Sequence, residues 1–198
     1  MKKRIIIKVT FSTFLLMFLT MGLTSSFAQD AKDQKKIEKQ KNKINQAKVK
    51  GLKELYKIEP SAKSKIASAY GYAVFTNTGV NLFVLSSGNG KGLLHNNSTG
   101  KETYMKMISI GAGLGIGLKS YYGIFIFDHK TGFDDFLDNG WSADGQADAT
   151  ADTGEEGGSV SLAMNIAPGV VLYQIADKGL AAQATVQGTK FLVDDDLN

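Results

Sequence analysis

All but two of the chain's 22 glycines, Gly22 and Gly51, lie at or beyond Gly71, and this one-sided distribution constrains the fold more than any other feature. Glycine in a helix interior costs about 1 kcal/mol relative to alanine, so a segment this rich in glycine is not one long helix. From Gly71 onward the apolar pattern runs in short blocks and alternations separated by Gly, Asn and Ser turns, the pattern of strands. It predicts strands at Tyr72–Thr76, Val80–Leu85, Lys91–His95, Thr103–Ile110 and Gly123–Asp128, a helix at Thr131–Asn139, and strands at Ser159–Ile166, Gly169–Ile175, Leu180–Gly188 and Thr189–Val193. Strands this short and numerous, behind helices, predict an α+β chain: N-terminal helices followed by a curved, mainly antiparallel sheet or barrel-like body.

The first 28 residues read as a leader. Lys2, Lys3, Arg4 and Lys8 precede an apolar run from Val9 to Leu23, and Ser26-Phe27-Ala28 sets small residues at the −3 and −1 positions of a signal peptidase site. The run is shorter than the roughly 20 residues a spanning helix needs. With no cysteine in the chain there is no acylation site, no disulfide and no thiolate metal site. The expected product is a free exported protein starting at Gln29, periplasmic if the source has two membranes and otherwise secreted.

Charge divides what remains. Gln29 to Lys65 carries 12 lysines against Asp30, Asp33, Glu38, Glu54 and Glu59, a balance of +7, whereas Ile66 to Asn198 carries seven lysines against 14 acids, a balance of −7. Residues 29–60 therefore read as a basic helical arm and residues 61–198 as an acidic body. Within the arm, Ile37, Ile44, Leu52 and Leu55 recur at roughly helical spacing, with Ala47 and Val49 beside them. One reading is a solvated helix joining the leader to the body. The other is an amphipathic helix on an anionic phospholipid surface, its candidate lipid-binding residues being Lys35, Lys36, Lys39, Lys41 and Lys43 with Ile37, Ile44, Leu52 and Leu55. At about 1 kcal/mol per lysine near such a surface, three or four lysines give only millimolar binding, so apolar insertion or several copies must add to it. Pro60 breaks the arm, and Ser61 reads as the N-cap of a second helix, Ala62–Tyr70, with Gly71 as its stop.

Enzymatic motifs are missing. Gly111-Ala112-Gly113-Leu114-Gly115-Ile116-Gly117 resembles a nucleotide loop, but Ile116 stands where the third glycine of a dinucleotide fingerprint belongs, and the alternation fits a strand packed against backbone or a ring. Gly88-Asn89-Gly90-Lys91-Gly92 reads as a hairpin turn. His95 and His129 sit in no metal or triad spacing, and no Gly-x-Ser-x-Gly occurs. The acids Asp134, Asp135, Asp138, Asp144, Asp148, Asp152, Glu155 and Glu156 lack the alternation of a calcium loop and read as a solvated rim. No catalytic residue, metal site, cofactor or nucleic-acid partner is expected.

Five patches in order carry a resemblance: Tyr70-Gly71-Tyr72-Ala73-Val74-Phe75, Gly88 to Gly92, Gly111 to Gly117, Gly140-Trp141 with Gly145-Gln146-Ala147-Asp148-Ala149, and Lys178-Gly179-Leu180 ending in Gly188. Over about Ala62 to Leu192 the chain resembles the SYLF domain family. Members are described as lipid-binding, with eukaryotic relatives associated with phosphoinositide membranes and actin, so the resemblance implies a lipid or membrane-surface role. Where many members show Gly-Pro-x-Gly-Arg this chain has Gly154-Glu155-Glu156-Gly157-Gly158, without the proline and the cation, and an exported bacterial protein would not meet actin. The expectation is an exported, non-enzymatic lipid-binding or membrane-surface-associating protein. Its rival is a structural or ligand-binding barrel that holds an apolar small molecule or a partner protein.

Overall fold

A computed structural model describes residues 32–76, 90–109, 121–142, 163–176 and 189–198. The expected leader, the strands at Val80–Leu85 and Leu180–Gly188, the Gly111–Gly117 alternation, the acids from Asp144 to Glu156 and the loop Gly154–Gly158 lie outside the described residues. The chain divides into two compact units between Gln40 and Lys41. Residues 32–40, the described part of the first, are helical.

The second unit opens with α1, residues 41–58, and continues through α2 (Ala62–Ser68), β1 (Gly71–Thr76), β2 (Gly90–Asn96), β3 (Glu102–Ser109) and β4 (Tyr121–Phe127). Then come α3 (Lys130–Asn139), β5 (Trp141–Ser142), β6 (Ala163–Ala167), β7 (Val170–Ala176), β8 (Thr189–Val193) and a short 3-10 turn, Asp195–Leu197. The strands form one sheet in the order β5-β8-β3-β2-β1-β4-β7-β6, each neighbouring pair antiparallel. The class is α+β with a curved antiparallel sheet. Its described strands make an open sheet with β5 and β6 at the edges rather than a closed barrel.

All six residues of the central strand β1 are buried, because helices cover both faces. Successive strand side chains point to opposite faces. Ala73 and Phe75 of β1 join Leu94, Met105, Phe125, Phe127, Leu172 and Phe191 on the face packed by Phe133 and Phe136 of α3. Tyr72 and Val74 join Tyr122, Ile124, Ile126, Tyr173 and Ile175 on the face packed by Leu55 of α1 and by Ala62, Ile66 and Ala69 of α2. The first face is an aromatic cluster centred on Phe125, whose ring centroid lies 5.0 Å from that of Phe191, 5.1 Å from Phe136, 5.7 Å from Trp141 and 5.8 Å from Phe75.

Three features depart from local expectation. α1 lies in the same compact unit as the sheet, and its Ile44 and Leu55 retain 1% and 0% of their exposure. Ser61 stands at the N-cap of α2 as expected, but its side chain bonds to Glu59 rather than to the helix, and α2 ends at Ser68 instead of Tyr70. Ala69 turns extended while the Asn97 amide donates to the Ile66 and Ala69 carbonyls at 2.7 and 2.9 Å, satisfying the helix end from a loop. Gly90 and Gly92 lie in β2, not in a turn. A Cβ on Gly92 would stand 2.3 Å from the Val74 carbonyl oxygen and 2.4 Å from Phe75 Cδ1, so the strand needs glycine for close approach.

Candidate functional site

Of the proposed lipid-binding residues, Lys35, Lys36 and Lys39 are exposed and Ile37 is half-buried in the helix of residues 32–40. The others belong to α1. Ile44 and Leu55 are buried in the second unit, and Leu52 packs partly against the same cluster. The apolar stripe is therefore the face by which α1 docks on the sheet. Gly51 lies on that face: a Cβ there would meet Tyr122 Cδ1 at 2.8 Å and Val74 Cγ1 at 3.3 Å. Glycine mid-helix costs about 1 kcal/mol, and here it lets the helix backbone reach the sheet.

The seam between α1 and strands β2 and β3 is polar. Lys48 pairs with Glu102, and His95 Nδ1 lies 3.4 Å from the same carboxylate. The Asn45 amide donates to the Tyr104 hydroxyl at 3.2 Å, and Lys41 Nζ sits 4.9 Å from the centre of the Tyr104 ring. The His95 ring lies 4.9 Å from that of Tyr72, whose phenol is pushed up to about 12 by burial and then by the Glu102 carboxylate and Tyr56. These polar groups line the seam along which α1 docks.

The raised Tyr72 value has a consequence for stability. A phenol in the unfolded chain titrates near 10, so the native form holds its proton more tightly; the resulting stabilisation is complete below about pH 10 and is lost between about pH 10 and 12. Urea midpoints should fall over that window, and Tyr72→Phe should fall less steeply. Equal slopes in the two proteins would clear Tyr72 as the cause.

Along one flank of α1, Val49, Leu52, Lys53, Tyr56 and Lys57 line a shallow open groove, Leu52 and Tyr56 also packing partly against the buried cluster. Val49 is 63% exposed, the most exposed large apolar side chain among the described residues. Lys50 and Lys53 are exposed beside it, and Lys57 donates to both oxygens of Glu54 at 2.8 and 3.1 Å, a hydrogen bond that holds that carboxyl below its usual range. In the sequence Val49 stands beside the apolar stripe, and Lys53, Tyr56 and Lys57 fall outside it. The signal was present, since positions 49, 52, 53 and 56 are neighbours on a helix surface at spacings of three and four.

The opposite face of the sheet carries the other sign. α3 presents exposed or half-exposed Asp134, Asp135 and Asp138, with Lys130 paired to Asp134. That pairing raises the Lys130 ammonium above its ordinary value. Among the described residues no three His, Cys, Asp or Glu side chains are grouped to hold a metal ion. No described helix is long and apolar enough to cross a membrane.

No family model matches the chain. It is similar to a protein called Beta cell expansion factor A from Aeromonas veronii, 39% identical over 143 residues, a match that covers 72% of this chain and 53% of that protein. The chain thus spans about half the length of this relative.

Proposed function

We propose that the chain is an exported, non-enzymatic protein of SYLF type that associates with anionic lipid surfaces. The observation that carries the reading is the separation of charge across the sheet. Lysines 41, 43, 48, 50, 53, 57, 63 and 65 stand on the α1 and α2 side against Glu54, Glu59 and Glu102, the last paired with Lys48, and the aspartates of α3 stand on the other. Such a body has one face attracted to a negative surface and one repelled by it, so charge orients as well as recruits. The leader-like first 28 residues support export, and the five glycine-rich and aromatic patches support the family.

Liposome flotation tests the proposal. Vesicles containing phosphatidylglycerol should carry the mature protein upward and pure phosphatidylcholine vesicles should not, with recruitment falling as salt rises towards physiological strength, where screening acts over about 8 Å. Equal recruitment by both vesicles would remove charge from the account. Recruitment by neither would favour the rival, a body that holds an apolar molecule or a protein partner.

A further inference from the structure

We propose that α1 meets the lipid surface while still docked on the sheet, through the flank formed by Val49, Leu52, Lys53, Tyr56 and Lys57. This rests on the reading that the protein associates with anionic lipid, and it identifies which surface does so. Two modes are conceivable for an amphipathic helix. It can peel away and insert its stripe, or it can stay in place and offer another side. Peeling would expose Ile44 and Leu55, uncover Val74 and Tyr122 where Gly51 approaches them, and part Lys48 from Glu102. The docked mode keeps all of these contacts.

The flank has the composition of an interfacial contact. Val49 projects at 63% exposure, Tyr56 and Leu52 are half-buried beside it, and Lys53 and Lys57 border the groove. Lysine stems lie along apolar surface while their ammonium groups reach outward, and a tyrosine ring sits where one end is apolar and the other wet. A negatively charged headgroup layer above a shallow apolar region satisfies both requirements. The acidic α3 lies on the opposite face of the sheet and would point away from that layer.

The test uses the mature protein and vesicles containing phosphatidylglycerol. Val49→Glu and the double variant Lys53→Glu/Lys57→Glu alter exposed positions, and each should reduce partitioning by about tenfold or more, since each replaces a favourable surface contact with a repelled carboxylate. For the docking itself, Gly51→Cys is combined with Tyr122→Cys. A Cβ at position 51 stands 3.2 Å from Tyr122 Cγ, within disulfide reach, and the natural chain has no other cysteine to compete. Oxidised and reduced forms of this one variant should float within about twofold of each other. Loss of flotation on oxidation, regained with reductant, would establish peeling and overturn the proposal. Wild-type flotation by the two charge-altered variants would move the contact elsewhere and overturn it as well, even if the cysteine pair fails to fold. If the unaltered protein does not float at all, the lipid reading itself falls, and the flank is left to a soluble partner.

Discussion

A chain lacking residues 29–57 should fail to fold, whereas one lacking only residues 29–40 should unfold with the cooperativity of the whole protein. The sequence alone suggests otherwise for the longer deletion, that residues 29–57 can be removed and leave the body folded. The structure places the division at Gln40 and Lys41, and α1 is one of the two helical elements that cover a whole face of the sheet. Each fully buried apolar side chain contributes about 1.5–3 kcal/mol. Removing α1 deletes Ile44 and Leu55 and uncovers Val74 and Tyr122, which sums to the size of an entire domain's stability of about 5–15 kcal/mol. Near-ultraviolet circular dichroism and urea titration of the two truncations decide the matter. A longer truncation that gives a sharp native transition would show that α1 is an appendage after all.

Phe125→Ala should be the most damaging single substitution on the other face. The ring is fully buried and packs within 5.8 Å, centroid to centroid, of Phe75, Phe136, Trp141 and Phe191, so its removal opens a void that residues from three different strands and α3 would have to fill. Loss of a buried phenylalanine costs about 3–5 kcal/mol, the transfer and cavity contributions together. For a unit of this size that lowers the melting temperature by roughly 10 °C. Val49→Ala, at an exposed position, should change stability by no more than about 0.5 kcal/mol and serves as the comparison. A loss below 1 kcal/mol in the first variant would mean that the cluster relaxes around the gap.

Most strands were legible because they obey local rules. Thr189–Val193 occurs over the expected residues, and β1, β2, β3, β4 and β7 occur within two residues of their expected ends, since aromatic and β-branched runs bounded by turn formers admit few alternatives. What was not legible depends on contacts far away in sequence. Gly90 and Gly92 look like turn residues, and only neighbours across the ladder explain why a strand needs them: the Thr76 carbonyl and Met107 beside Gly90, the Val74 carbonyl and the Phe75 ring beside Gly92. The same holds for the candidate site. Spacing shows that Ile44 and Leu55 share a helix face, but periodicity does not say whether that face meets lipid or a sheet. The outward flank was harder still, because Val49 and Tyr56 are separated by lysines and make no unbroken stripe. Charge was legible in amount and misplaced in space: the contrast between arm and body is, in the folded unit, a contrast between the two sides of one sheet.

The place of β8 in the sheet order bears on when this protein can become folded. β3 pairs on one side with β2, its neighbour in sequence, but on the other with β8, through Met105 opposite Val193 and Ser109 opposite Thr189. Phe191, carried on β8, completes the ring cluster, and Trp141 of β5 pairs with it. Half of the sheet therefore waits for residues made long after β3, and contacts spanning such long stretches of chain form slowly. One edge of β3 therefore stays without its strand partner until β8 is available, and the ring cluster on that face stays incomplete with it.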